Sequence, residues 1–227
     1  KWGGSSIRMD GSYDFLELTN ADSALFQPFE DTTSSWTFDA WVKFNDVSGT
    51  QWYISQGQST SDRWGFYHVS QSGLGHYAIL SNGGGTQFNG NGTGNGGLIT
   101  DTTTWHHVMW IKKATEIGMY VDGTQVGYIQ NTQTHTTGGQ VYIGAKYNGS
   151  EAFNGWMDDI RIYKGNPFDA SPNTGNTDTI TVPTEAHTSD ANTMLLVQSD
   201  HSDGSTDITD SAGVAGGLGN DASGNEN

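Results

Sequence analysis

"WTFDAWVKF", residues 36–44, decides the fold of this chain. Its apolar side chains fall at every second position, with Trp36, Phe38, Ala40, Val42 and Phe44 on one side and Trp41 on the other. A period of two belongs to a β-strand with one face in a core. "WHHVMWIKK" (105–113) sets Trp105, His107, Met109 and Ile111 against Val108 and Trp110, the two-sided burial of a central strand. "IGMYVDGTQVGYI" (117–129) reads as a hairpin, because Asp122-Gly123 is a tight-turn dipeptide and both flanks alternate. The same pattern predicts strands at 7–9, 14–18, 52–56, 64–69, 76–80, 141–144 and 157–163, and no convincing helical stripe is present. So many short strands imply an all-β, two-sheet antiparallel sandwich.

Two stretches break the rhythm. Residues 82–97, "NGGGTQFNGNGTGNGG", are read as a loop at one end of the sandwich, since Gly and Asn favour turns. From Asn166 onward the chain is rich in Asn, Thr, Asp, Ser and Gly, which implies a polar linker over 166–190. "TMLLVQS" (193–199) interrupts it. Residues 191–227 therefore form a C-terminal extension that either adds a strand to this sandwich or starts a following domain. The first option is favoured because an isolated apolar strand would lie exposed.

The 227 residues allow one substantial domain with an appendage. Only 33% of them are hydrophobic, while 11% are aromatic and 32 are Gly, a composition that buries few but bulky groups and spends glycine on turns. A net charge of −16 with nine Lys and Arg argues against a nucleic-acid partner, which needs clustered cations. There is no cysteine, so disulfides and thiolate metal sites are ruled out. No apolar run is long enough for membrane insertion. The first residue is Lys, as in a processed or excised piece of a longer protein.

Few residues suggest catalysis. A glycosidase needs two carboxylates about 5–9 Å apart, commonly alternating on one strand. Glu17, Glu30, Glu116, Glu151, Glu185 and Glu226 each lack an acidic residue two positions away. No GxSxG elbow supports a serine nucleophile, and "GNGTGNGG" matches a phosphate loop only by being glycine-rich. The chain is therefore expected not to be an enzyme. His106 and His107, adjacent on a strand, point to opposite faces and cannot chelate one ion without ligands from elsewhere. They read as one core histidine bonded to backbone and one on the surface. In "NGWMDDIRIY" (154–163) a strand would likewise split Asp158 from Asp159, leaving one solvated and one pointing inward. The inward carboxylate needs compensation, from a Ca²⁺ near the turn "MDGSYD" or from Arg161 or Arg8.

"GGSSIRMDGSYDFLEL", "WTFDAWVKF", "WHHVMWIKKATEIGMYVDGTQVGYI" and "VYIGAKYNGSEAFNGWMDDIRIYKG", in that order, resemble the laminin-G-like branch of the concanavalin A-like lectin/glucanase superfamily. The resemblance covers about residues 1–165 and implies a jelly-roll of two curved antiparallel sheets with an extended C-terminal tail. It also implies a structural calcium on Asp158, with Asp10 and Gly11 as looser candidates. Catalytic members carry an acid cluster on the central strand, and "WHHVMWIKK" has none. The tail, with "LLVQSDHSDGSTDITDSAG", resembles connectors between tandem lectin-like domains in phage and marine-virus tail or fibre proteins, where such a segment precedes an opening like "KWGGSS".

The expected function is non-catalytic recognition of glycan on cells or matrix by a viral surface, tail or fibre protein, on the virion surface or extracellular. Sugar sites need aromatic faces with amides and carboxylates around them. Trp52, Trp64, Tyr67, His76, Tyr77, Asn89, Asn91 and Asn95 supply both, although each could equally serve core packing or a turn. The alternatives are an assembly module that packs against other virion subunits or copies of itself, and a binding module cut from a secreted enzyme.

Overall fold

The computed structural model describes residues 1–2, 4–19, 23–94, 96–199 and 209–212. They form two antiparallel sheets packed face to face, which is the expected all-β sandwich. One sheet has eight strands. Across it run β10 (Thr124–Gln130), β9 (Glu116–Val121), β8 (His106–Lys113), β3 (Ser35–Phe44) and β12 (Asn154–Tyr163). The far side of β12 is shared: β1 (Ile7–Asp10) pairs with its first half and β13 (Thr193–Gln198) with its second, and β14 (Thr209–Asp210) follows β13. The other sheet has six strands, in the order β2 (Leu16–Glu17), β11 (Val141–Ile143), β4 (Thr50–Ser59), β5 (Asp62–Val69), β6 (Gly75–Asn82) and β7 (Gly85–Gly90).

The core lies between the sheets. Trp36, Phe38, Ala40, Val42 and Phe44 of β3 point into it, opposite Tyr53, Ile54, Trp64, Phe66, Ala78 and Leu80. The strongest alternating stretch thus lines the core as expected, while Asp39 and Trp41 face the other way. Asp122 and Gly123, with φ of 47° and 82°, make the tight turn between β9 and β10.

Residues 82–97 are not all loop. Gly85–Gly90 is an edge strand paired with β6, because Phe88 can reach the core and packs on Phe29 with ring centroids 5.9 Å apart. The glycines around it supply the turns. Gly96 has φ of 70°, and a Cβ there would fall 1.7 Å from the Leu74 carbonyl oxygen. Its own carbonyl accepts the His76 backbone N–H at 2.6 Å. Gly96→Ala should lower stability by about 1–3 kcal/mol through strain at positive φ, read as a fall in the urea midpoint. An unchanged midpoint would mean that the loop relaxes freely.

Residues 166–190 are packed on the domain. Phe168, Ala170 and Ile180 cover Met109, Ile111 and Tyr120 on the outer face of the eight-stranded sheet. The segment is also bonded to the β9–β10 hairpin: Gln125 N–H donates to the Asp178 carbonyl at 3.1 Å, Ile180 N–H donates to the Gly123 carbonyl at 2.8 Å, and the Tyr120 hydroxyl donates to the Asp178 carboxylate at 2.6 Å. The two-sided burial of β8 therefore depends on this strap. Beyond it, β13 lies beside β12 with Leu195 and Val197 in the core. Among the described residues no helix is long and apolar enough to cross a membrane.

Candidate functional site

The outer face of the six-stranded sheet carries an aromatic row. Trp52 on β4, Tyr67 on β5 and Tyr77 on β6 are direct cross-strand neighbours. The Trp52 and Tyr67 rings stack with centroids 4.3 Å apart and planes at 22°, and Tyr67 and Tyr77 follow at 5.8 Å and 35°. Gly65 permits this, since a Cβ there would lie 2.4 Å from the Trp52 ring. Polar groups frame the row. The Tyr67 hydroxyl donates to Asn89 Oδ1. Trp52 Nε1 donates to Glu151 Oε2 at 2.6 Å, and Lys146 Nζ donates to Glu151 Oε1 at 2.8 Å. Glu151 sits at φ 52°, a conformation that L-residues other than Asn, Asp and Gly seldom adopt. Burial pushes the Tyr67 hydroxyl pKa up, so it remains a neutral donor. Trp52 and Tyr67 are nearly buried and form the floor, whereas Tyr77 is half-buried and Asn89 and Glu151 are exposed.

Of the predicted ligand-binding residues, Trp52, Tyr67, Tyr77 and Asn89 come together here. Trp64 does not: it points into the core, stacks on Trp110 with centroids 5.9 Å apart, and donates from Nε1 to Gln56. His76 is also interior, stacked on Tyr53 with its Nε2 2.8 Å from the Tyr53 hydroxyl. Asn91 faces β10, where its carbonyl accepts the Tyr128 N–H at 3.1 Å. Asn95 lies outside the described residues.

The acidic pair does not divide between the two faces. The pairing of β12 with β3 slips by one residue between Asp158 and Arg161, and Asp159 takes φ of 52° at this bulge. Met157 and Ile160 both enter the core, so both carboxylates find partners on the outer side and both are buried. Asp158 accepts the Lys1 amino group at 2.6 Å, the Trp2 N–H at 2.8 Å and the Asp159 N–H at 2.9 Å. Arg161 pairs with Asp39 instead. Asp10 pairs with Asn154, four positions along β12 from Asp158, which is about 13 Å of strand. The Asp10 carboxylate accepts the Ser12 N–H at 2.7 Å, and a Cβ at Gly11 would lie 3.0 Å from Asn154 Cβ. Asp158 therefore lies well along the strand from Asp10 and Gly11.

A second polar cluster, unmarked by any motif, lies on the outer face of the eight-stranded sheet. Asp39 is fully buried; its Oδ1 accepts Arg161 Nε at 2.9 Å, while its Oδ2 lies 2.6 Å from His187 Nε2 and 3.3 Å from His107 Nε2. Burial would raise the Asp39 carboxyl pKa, but the Arg161 guanidinium and the two imidazole contacts outweigh it and hold the group well below the carboxylate range. Asp159 moves the other way, raised mainly by burial and further by the Asp39 charge. It accepts the His187 N–H at 3.1 Å and Gln198 Nε2 at 2.7 Å. His107 is thus the buried histidine of its pair, on the outer face and not in the inter-sheet core, and it contacts a carboxylate where a backbone partner was expected. His106 bridges Asp122 at 2.7 Å and Asp101 at 2.9 Å, and these contacts raise its pKa.

Residues 10–169 match the Laminin_G_3 family model, described as the concanavalin A-like lectin/glucanases superfamily. The chain belongs to this superfamily. No curated protein matches the sequence significantly. Among solved structures, the Ruminococcus gnavus IT-sialidase CBM40 is similar at 14% identity and a TM-score of 0.55, over 73% of this chain and 92% of that one. Domains LG4-5 of the mouse laminin alpha1 chain align at 15% identity and a TM-score of 0.48, over 68% of this chain and 40% of that chain's length. At these identities the likeness concerns the fold.

Within this concanavalin A-like sandwich, strand parity separates the aromatics. Trp64 and Tyr67 lie an odd number of residues apart on one strand, as do His76 and Tyr77, so neither pair can share a face. Trp52 joins Tyr67 because the β4–β5 pairing slips between Trp52 and Ile54, which leaves both Tyr53 and Ile54 in the core. Lys146 and Glu151, which complete the row, sit just after β11 and before β12, and only the positive φ of Glu151 marks them.

Proposed function

We propose that this chain is a non-catalytic carbohydrate-recognition module whose sugar site is the outer face of the six-stranded sheet. The observation that carries this reading is the Trp52–Tyr67–Tyr77 row with an amide, a carboxylate and an ammonium group at its margin. Tyr77 offers a partly open ring for the apolar face of a sugar, and Asn89, Glu151 and Lys146 can exchange their mutual hydrogen bonds for sugar hydroxyls. Membership in a lectin-containing superfamily and the fold likeness to CBM40 support the class. The setting we infer is a viral surface, tail or fibre protein, on the virion or outside the cell, and it rests on the resemblance of the tail to tandem-domain connectors. The assembly alternative drew on a tail free to wrap a neighbour; residues 166–190 pack instead on their own sandwich.

A glycan array followed by calorimetry on the best ligand tests the reading. Tyr77→Ala and Asn89→Ala should each weaken binding about tenfold, ~1.4 kcal/mol, with little change in melting temperature. The absence of any glycan ligand, or full affinity in both variants, would remove this face as the site.

A further inference from the structure

Asp39, His107 and His187 place one carboxylate oxygen and two imidazole nitrogens within 4.8 Å of one another. We propose that these three side chains form a binding site for a divalent transition-metal ion of the zinc class, the fourth coordination position being left to a water molecule. The site lies on the opposite sheet from the aromatic row and is independent of the sugar-binding reading.

The donor set selects the metal. Imidazole nitrogen suits zinc and its neighbours, whereas calcium takes oxygen ligands almost exclusively. Four ligands at zinc distances sit about 3.3 Å apart in a tetrahedron. His107 Nε2 and Asp39 Oδ2 are 3.3 Å apart, the separation expected of two ligands on one ion. The 2.6 Å between His187 and Asp39 must open by a few tenths of an ångström. His187 lies outside the strands, on the segment that precedes β13, and can move that far without disturbing the ladder.

The outer contacts leave the ligand atoms free for an ion. Arg161 binds Asp39 through Oδ1 and leaves Oδ2 to the two histidines. A fixed second partner of this kind orients a metal-binding carboxylate. Charge argues the same way, since two buried carboxylates face one guanidinium and leave one negative charge over when the imidazoles are neutral. Entry is available as well. An open pocket of about 420 Å³, lined by Arg161, Phe168, Pro183, Glu185, His187 and Thr188, leads to the cluster.

The test uses the tag-free chain, treated with chelator, dialysed and titrated with Co²⁺ at neutral pH. The expected result is one equivalent bound, with the visible d–d absorption of four-coordinate cobalt, displaced by Zn²⁺ and not by Ca²⁺. His187→Gln and His107→Gln should each lose at least tenfold in affinity, and Asp159→Asn should lose less. His187 lies on the surface segment, so its variant should stay folded by circular dichroism and keep the comparison valid if the His107 variant does not. No cobalt spectrum, or equal affinity in the wild type and the folded His187 variant, would overturn the proposal and leave the cluster as a hydrogen-bonded clasp balanced by one imidazolium.

Discussion

Replacing Asp39 by alanine should destabilise the fold by about 3–5 kcal/mol, the usual cost of removing one partner from a buried ion pair. Asp39 is fully buried and receives Arg161, His187 and His107. Without it a guanidinium only 6% exposed loses its carboxylate, while both imidazoles lose their common acceptor. Asp39→Asn keeps one acceptor oxygen and should lose less, about 1–3 kcal/mol. Urea unfolding at neutral pH with an unchanged m-value is the measurement. A cost below ~1 kcal/mol would put the cluster among solvent-screened ion pairs and defeat the argument. The alanine variant should also be cut faster by protease between Pro183 and His187, because His187 ties that segment to the sheet through Asp39 and Asp159.

The readable parts of this fold were those in which one strand explains itself. In β3 the period of two separates core from outer face without help from neighbours, and Asp122-Gly123 determines its own turn. The pairing of Asp158 with Asp159 was misread because a bulge, which no residue type announces, shifts the strand by one position and turns both acids outward. The strap was misread because its polarity hides the three apolar groups, Phe168, Ala170 and Ile180, that seal β8. In the aromatic row, parity alone would have set Trp64 and His76 apart from Tyr67 and Tyr77. The Asp39 cluster lay beyond reach: His187 is 148 residues from Asp39, in a stretch whose composition reads as linker, and only the folded chain joins them.

Acid should weaken this protein through two buried histidines, above the pH range in which ordinary carboxylates protonate. His68 and His76 lie in the core near one end of the sandwich, beside Phe44 and Tyr53. His76 Nδ1 faces the Gly96 and Gly97 carbonyls, each at 3.0 Å, and these can only accept. The proton therefore sits on Nδ1, and Nε2 accepts from the Tyr53 hydroxyl, so the ring is neutral. His68 makes no hydrogen bond of good geometry, and the Ile99 backbone is at most a weak partner. Burial lowers His68 to about 4; burial, with repulsion from His68 and His106, lowers His76 to about 3. Both groups take up protons more readily in the unfolded chain, near pH 6.5, so stability falls as pH drops from there toward 4. At pH 5 each should cost on the order of 2 kcal/mol relative to pH 7. His106 has the opposite sign. Its pKa is raised by Asp122 and Asp101, so its contribution is complete below pH 6.5 and is lost as pH rises through the folded value. Asp39, held far below the usual range, adds a further loss only below about pH 4. Stability should thus peak near neutrality and fall steeply on the acid side, as measured by urea unfolding at pH 7 and pH 5. His68→Phe, which keeps a ring beside Phe44 and removes one titrating group, should recover about half of the acid loss. Equal stability at the two pH values, or an acid loss undiminished in that variant, would show that the buried histidines do not control it.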